Sequence, residues 1–289
     1  MKKGLFILLL FISHNIFSQE VSQKVLQEYE DTLSTIAHTI MHGENEKVRQ
    51  EANKGFISEL LAVLKYNNSY SFPFDSLKTI SILQPTDKSF RIFNWILKKD
   101  NGRYQYFGYI IIPKSKTNTI IPLTYKDDFY LNFSDEILNN NNWYGALYYK
   151  IISPKKKNNK HYTLLAWDGN NPKSTKKIID VLEIKEDTAW FGKNIFINGK
   201  EITSRVVIEY NSRTSVSVNY DDTKNRIVFD HLVPLKEQQE GFKAFYVPDG
   251  SYDCYQYKNG KWLLKLDVDA RTGVKIPKIT KENKGLFKP

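Results

Sequence analysis

The spacing of apolar residues changes once along this chain, near residue 75, and this change constrains the fold more than any other feature. Before it, apolar residues recur every three or four positions, which is the spacing of one face of an α-helix. After it, they alternate with polar residues in short runs rich in β-branched and aromatic side chains, which is typical of β-strands. The sequence therefore predicts a helical part at 19–74 and a β-rich part at 75–274.

Two helices are predicted in the helical part. The first apolar stripe begins at Val21 and ends at Met41, and Gly43 follows at a position where many helices end. The second stripe lies between Glu44 and Leu64. Because only a short turn separates the stripes, we expect an antiparallel helical hairpin, placed at one end of the β-rich part or packed on one of its faces.

The β-rich part is predicted to consist of short strands joined by turns. Asn101-Gly102 and Asn259-Gly260 each lie between two such runs, and this dipeptide is typical of the tight turn of a β-hairpin. No helical pattern of useful length separates the strands, so the fold class is α+β, mainly β, with an antiparallel β-meander after the hairpin. A sandwich, a barrel and a propeller-like stack all stay open. The predicted strands lie at 78–84, 89–98, 103–112, 119–124, 143–152, 161–168, 177–185, 193–197, 203–210, 214–220, 226–232, 251–258 and 261–267.

Residues 1–18 have the layout of a secretory signal peptide. Two lysines follow Met1, an apolar run extends from Gly4 to Ile12, and the small residue Ser18 lies at the expected cleavage site. A membrane-spanning helix needs about twenty apolar residues, and this run is much shorter. We therefore expect an exported protein, periplasmic or extracellular, that keeps no transmembrane anchor after cleavage. At the other end, 275–289 is rich in lysine and is predicted to be a loosely held basic tail.

The basic excess of the chain does not by itself indicate an acidic partner. The formal net charge is +10 at pH 7, but the basic residues are spread along the sequence among acidic ones. A soluble surface explains this pattern, and export disfavours nucleic acid as a partner. The single cysteine, Cys254, excludes an intramolecular disulfide and is expected to be half-buried on a strand.

Aromatic residues form the first set of candidate binding residues. Trp143 and Tyr144 follow a run of four asparagines at 139–142, and a tryptophan beside amide side chains at a loop suits a glycan. Trp167 lies near the end of a predicted strand and is a further candidate. The same rings commonly fill the core of a β-sheet protein, so a core role is the competing interpretation.

Carboxylates at strand ends form the second set, with Asp168 and Asp253 as its main members. Paired carboxylates can hydrolyse glycosidic bonds, and clustered oxygen atoms at loop tips can bind Ca²⁺. Aspartates beside glycine are also ordinary turn residues. His38 and His42 are four residues apart on the first predicted helix, but no third ligand is suggested. No metal centre is therefore predicted, and Ca²⁺ is the one ion that the sequence leaves open.

Four segments of the β-rich part carry a resemblance when they are taken together: FRIFNW at 90–95, WYGALYY at 143–149, LLAWDGNN at 164–171 and VFDHL at 228–232. They resemble an uncharacterised family of exported bacterial proteins with no established activity. The resemblance covers 75–270 and leaves the helical part outside it. It implies export, and it assigns no catalytic residue.

These observations favour an exported protein of the cell envelope that catalyses no reaction and binds a glycan or an envelope protein. The alternative is a hydrolase acting on an envelope or extracellular polymer, with strand-end carboxylates as its acid and base. A third hypothesis is a structural subunit of an envelope complex that docks through the helical hairpin. The candidate binding residues are Trp143, Tyr144, Trp167, Asp168 and Asp253.

Overall fold

The structure is a computed structural model, and it describes residues 20–125, 134–155 and 161–270. The predicted signal peptide at 1–18 and the predicted basic tail at 275–289 both lie outside the described residues. Two α-helices come first, and strands in three sheets follow them. The fold is therefore α+β and mainly β, as the change in apolar spacing predicts.

The two helices are α1 (Gln23–His42) and α2 (Glu46–Leu64), and they form the predicted hairpin. Ser22 caps α1 and Asn45 caps α2, because each side-chain oxygen accepts a hydrogen bond from an amide of the first turn. Such caps supply acceptors to amides that have none within the helix. No described helix is long and apolar enough to cross a membrane.

The strands form three sheets, called here the first, middle and third sheets. The first sheet contains β1 (Ser81–Leu83), β2 (Arg91–Lys98), β3 (Tyr104–Ile112) and β4 (Thr119–Leu123). The middle sheet contains β5 (Leu138–Asn139), β6 (Leu147–Ile152), β7 (His161–Asp168), β8 (Ser174–Lys185), β9 (Thr188–Phe191) and β12 (Val206–Asn211). The third sheet contains β10 (Phe196–Asn198), β11 (Glu201–Thr203), β13 (Val218–Asp221), β14 (Arg226–Pro234), β15 (Tyr246–Lys258) and β16 (Lys261–Lys265).

Antiparallel pairing of consecutive strands dominates all three sheets. The first sheet follows chain order from β1 to β4. The middle sheet runs in the order β5-β9-β8-β7-β6, and β12 pairs with the first part of β8. The third sheet runs in the order β11-β10-β16-β15-β14-β13. There β10 pairs in parallel with β16, so the β10–β11 hairpin extends the edge of a meander that comes later in the chain.

Three apolar cores stack the layers in the order helical hairpin, first sheet, middle sheet, third sheet. The core between the hairpin and the first sheet contains Phe56. The core between the first and middle sheets contains Ile92 and Leu164. The core between the middle and third sheets contains Leu165 and Trp262. Both faces of the first and middle sheets are therefore buried, and none of the sheets built by the described strands closes into a barrel.

A hydrogen bond and a ring contact join α2 to the first sheet. The indole N–H of Trp95 donates to the side-chain oxygen of Asn53 at 2.7 Å, and both groups are buried. The ring of Phe56 packs edge-on against Trp95, with 5.0 Å between ring centroids. The apolar face of the hairpin is therefore used inside the fold, where it covers the outer face of the first sheet.

Most strand positions agree with the alternating pattern, and the differences are local. The strand predicted at 143–152 begins only at Leu147, because a 3-10 helix at 140–142 precedes it. The strand predicted at 251–258 begins already at Tyr246. The very short strands β5, β9 and β11 were not predicted, since such runs are too short to show a period. Asn259 and Gly260 have φ of 52° and 83°, which confirms the predicted tight turn.

Replacing Phe56 by alanine tests how firmly the hairpin belongs to the fold. The side chain is fully buried, and emptying such a site lowers the free energy of unfolding by about 3–5 kcal/mol. Urea denaturation should show one cooperative transition at lower denaturant. The control is Lys47→Ala, at an exposed position of the same helix, which should change the free energy of unfolding by less than about 0.5 kcal/mol. A β-rich part that unfolds unchanged in Phe56→Ala would contradict the stacked arrangement.

Candidate functional site

The candidate site lies at the end of β7, where Asp168 faces the first sheet. Strand β8 lies between β7 and β12, and its Lys176 is directly opposite Asp168 on one side and Glu209 on the other. Directly opposed residues point to the same face of a sheet. A carboxylate, an ammonium group and a second carboxylate therefore form one row across the middle sheet. The Nζ atom of Lys176 is 3.9 Å from Oδ2 of Asp168.

Hydrogen-bond donors surround the carboxylate of Asp168, which is 6% exposed. Its Oδ1 accepts hydrogen bonds from the Tyr106 hydroxyl at 2.5 Å and from the Asn170 amide at 2.7 Å. Its Oδ2 accepts one from the Tyr144 hydroxyl at 3.3 Å. Because both oxygens have donors, the cost of burying this charge is compensated. We call Asp168, Tyr106, Tyr144 and the Asn170 amide the Asp168 cluster.

Both tyrosines of the Asp168 cluster stay protonated. Burial raises the pKa of Tyr106 far above its usual value, and the neighbouring charge of Asp168 raises it further. The pKa of Tyr144 is raised for the same two reasons. The two hydroxyls therefore remain donors to Asp168 throughout the physiological range of pH. The guanidinium carbon of Arg205, which is ion-paired with Asp180, lies 5.8 Å from the centroid of the Tyr144 ring and packs over it.

Two aromatic rings meet beside the Asp168 cluster. Trp167 on β7 and Tyr104 on β3 pack edge-on with 5.2 Å between ring centroids, and both residues are half-buried. Gly169 permits this approach, because a Cβ at its position would lie 2.3 Å from the Tyr104 ring. The fold therefore holds the two rings in place while part of their surface stays in solvent.

Polar side chains continue this surface along the turn between β7 and β8. The side-chain amide of Asn170, whose φ is 46°, donates to Oγ of Ser174 at 2.7 Å. Ser174 in turn donates to Oε1 of Glu209 at 2.5 Å. Asn171 accepts hydrogen bonds from the amides of Lys173 and Ser174 and closes the turn. We call the half-buried side chains of this surface the rim; they are Tyr104, Trp167, Asn170, Asn171 and Glu209.

Two of the predicted aromatic residues lie inside the core. Trp143 is 1% exposed, and its indole N–H donates to the Tyr148 hydroxyl at 2.7 Å. Tyr144 is 7% exposed. The asparagine run occupies the short 3-10 helix at 140–142. The structure therefore places Trp143 where a sugar ring has no access to it, and it is Trp167 that lies beside the asparagines of the rim.

Asp253 belongs to the third sheet and forms a separate pair. Its Oδ2 accepts a hydrogen bond from Nδ1 of His231 at 2.8 Å, and its Oδ1 accepts one from the Asp267 amide at 3.1 Å. The hydrogen bond to Asp253 raises the pKa of His231 above 6.5, and the charges of Asp249 and Asp267 add to this increase. The structure thus brings Trp167, Tyr144 and Asp168 together, and it places Asp253 on another sheet.

Carboxylates of the other predicted loops serve as acceptors within turns. Asp221 accepts hydrogen bonds from the Thr223 hydroxyl and the Arg226 guanidinium. Asp249 accepts them from the amide and the hydroxyl of Ser251. Such contacts are the ordinary role of aspartate in turns. Within the described ranges, no group of three or more His, Cys, Asp or Glu side chains is arranged to hold a metal ion.

Sequence reasoning missed the partners of Trp167, Asp168 and Asp253, which are Tyr104, Tyr106 and His231. Tyr104 and Tyr106 belong to the first sheet, more than fifty residues before Asp168 along the chain. Their only sequence signal is that β3 carries three tyrosines, at 104, 106 and 109, among mostly apolar residues. His231 lies on β14 and Asp253 on β15, and the structure pairs their side chains.

The comparison with known proteins returned no match to a family model, to a curated protein or to a solved structure. The resemblance to an uncharacterised exported family therefore stays a prediction.

Asp168→Ala removes the acceptor of two buried hydroxyl groups. A buried donor without an acceptor costs about 1–3 kcal/mol, so urea denaturation should show a loss of this size. In a Tyr106→Phe background the loss should be smaller, because one of the two hydroxyls is already absent. The coupling energy of the double-mutant cycle should be about 0.5–3 kcal/mol.

Tyr148→Phe provides the control for this cycle, since Tyr148 is buried in the same core and its hydroxyl bonds to Trp143. The change that it causes in the free energy of unfolding should add to the change caused by Asp168→Ala. If the losses of unfolding free energy in Asp168→Ala and Tyr106→Phe simply add in the double variant, the proposed cluster is contradicted.

The ion pair with Asp253 should govern the titration of His231. Nuclear magnetic resonance should give His231 a pKa above 6.5 in the wild type, and Asp253→Asn should lower it. Because the pKa is raised in the folded state, the pair stabilises the fold fully below pH 6.5 and loses this contribution as pH rises through the raised pKa. The stability difference between wild type and Asp253→Asn should therefore shrink on the alkaline side. A wild-type pKa at or below 6.5 would show that the pair does not form.

Proposed function

We propose that this chain is an exported, non-catalytic binding module of the cell envelope that binds a glycan at the rim. The observation that carries the proposal is the edge-on pair of half-buried rings, Trp167 and Tyr104, at the turn that carries Asn170 and Asn171, where Asn170 is in turn hydrogen bonded to Glu209. Aromatic rings stack on the apolar faces of sugars, and amide and carboxylate groups accept and donate to their hydroxyls. Export rests on the signal-peptide layout of 1–18.

The environment of Asp168 supports binding over catalysis. A general acid or base has to exchange a proton with the substrate, and it must be within hydrogen-bond reach of it. Asp168 is buried, and its two oxygens are bonded to tyrosine hydroxyls and a backbone amide. Its role in this proposal is to hold the rim in position, and Trp167 and Tyr104 make the contact with the ligand.

One observation favours the alternative of a glycan hydrolase. Asp168 and Glu209 lie on the two strands that flank β8. Neighbouring strands are about 4.8 Å apart, so the backbones of Asp168 and Glu209 are about 10 Å apart. This is just above the roughly 6.5–9.5 Å that separates the two carboxyl groups of inverting glycosidases. Glu209→Gln distinguishes the two functions, because it should abolish polymer cleavage by a hydrolase and should only weaken binding by a module.

Isothermal titration calorimetry with a panel of soluble neutral and acidic polysaccharides tests the binding site. Trp167→Ala should weaken the affinity for a bound polysaccharide about tenfold or more, the scale of a central aromatic contact. The matched control is Trp190→Ala, which removes a 36% exposed tryptophan from β9 of the same sheet and should leave the affinity unchanged. Thermal unfolding of both variants checks that they fold.

Three results would contradict the proposal. They are equal losses of affinity in the Trp167 and Trp190 variants, unchanged affinity in Trp167→Ala, and the release of new reducing ends from the polysaccharide. The last result would replace the binding module with the hydrolase.

A further inference from the structure

The connection between β14 and β15 exposes three large apolar side chains at one place. Phe242 is 65% exposed, Leu235 is 56% exposed and Phe245 is 41% exposed. We call 235–245 the apolar loop. Exposed apolar residues scattered singly are normal, so three of them on one short loop are a candidate interaction surface that needs further support.

Hydrogen bonds hold the apolar loop in a defined shape. The Leu235 amide donates to the Phe245 carbonyl at 3.0 Å, which closes the base of the loop. The Gly241 amide donates to the Tyr246 hydroxyl at 3.1 Å, and the side chain of Asn211 donates to the Ala244 carbonyl at 2.9 Å. The two phenylalanines are therefore kept outside by a built structure, so binding does not require the loop to fold first.

Basic side chains surround the apolar loop. Lys236 and Lys243 belong to it and are exposed. The turn after β12 packs against it through Asn211, and this turn carries the exposed Arg213. Lys173, also exposed, is joined to the same turn because its carbonyl accepts a hydrogen bond from the Ser212 amide. Glu237 and Glu240 balance the two lysines of the loop, so Arg213 and Lys173 on the neighbouring turns supply the excess of positive charge.

The exposed apolar area is small for a protein partner. A phenylalanine side chain carries about 150–250 Å², so the two rings together expose roughly 200 Å². A stable protein interface buries about 800 Å² on each partner. A lipid surface needs less, since a few aromatic and aliphatic side chains inserted at the headgroup level act together with nearby cations.

We propose that the apolar loop docks the protein on an anionic lipid surface. Phe242, Phe245 and Leu235 insert among the lipid headgroups, and the surrounding lysines and arginine contact the lipid phosphates. The three apolar side chains lie on the loop between β14 and β15 and are not part of the rim. Lys173 belongs to the turn between β7 and β8 that also carries Asn170 and Asn171.

Vesicle flotation of the full chain tests the proposal, with phosphatidylcholine vesicles that contain about 30% phosphatidylglycerol as the anionic surface. The wild type should float with these vesicles and should bind pure phosphatidylcholine at least about tenfold more weakly. Phe242→Ser with Phe245→Ser should reduce binding about tenfold or more. The matched control is Ile202→Ser with Leu266→Ser, which removes apolar side chains that are 51% and 63% exposed elsewhere on the third sheet, and its binding should be unchanged.

Charge variants test the electrostatic part. Lys236→Gln and Arg213→Gln should each weaken binding to anionic vesicles about fivefold, and added salt should weaken it further. Thermal unfolding checks the fold of each variant. Vesicle binding that is unchanged in Phe242→Ser with Phe245→Ser, or that is equal on neutral and anionic lipid, would overturn the proposal. So would light scattering that shows a dimer of the wild type and a monomer of Phe242→Ser with Phe245→Ser, because the loop would then join two copies of this chain.

Discussion

Burial of both faces of the middle sheet is the constraint on which this structure depends. Leu164 and Leu165 are neighbours on β7, each is at most 1% exposed, and they belong to different cores. Polar groups on such a strand have to find partners in the adjoining layers. The first sheet obeys the same rule at Asn94, whose side chain accepts a hydrogen bond from the Tyr148 amide and donates to the Phe107 carbonyl. These contacts fix the register between layers as well as satisfying the buried groups.

The Asp168 cluster is the polar end of the core between the first and middle sheets. Its hydrogen bonds cross from β7 to β3, so they tie two layers together at the place where the apolar filling ends. The rim that the cluster supports is partly exposed to solvent. This arrangement separates the roles of neighbouring residues: Asp168 and Tyr106 hold the layers, while Trp167 and Tyr104 offer ring surface. A rigid support of this kind lowers the conformational cost of binding a flexible polymer.

Residues close in sequence were predicted well, and partners from distant strands were not. The helical hairpin, most strands and the Asn259-Gly260 turn follow from local spacing and turn chemistry. Trp167 and Asp168 could be selected because a strand end with a tryptophan, an aspartate and two asparagines is visible in the sequence. The alternation of apolar and polar residues along a strand does not show which strand lies opposite it. The sequence therefore could not identify Tyr106 as a partner of Asp168. For the same reason the sequence could not tell the buried ring of Trp143 from the half-exposed ring of Trp167, since burial depends on the stacking of whole sheets.

The indole N–H resonances of the five tryptophans give the most direct test of the rim as the binding surface. Each resonance can be assigned by a tryptophan-to-phenylalanine variant, and all of them can be followed while a bound polysaccharide is added. The account predicts that the Trp167 resonance shifts in proportion to occupancy, while those of the buried Trp143 and of Trp190 on β9 stay in place. A polysaccharide that binds and leaves the Trp167 resonance unmoved would contradict it.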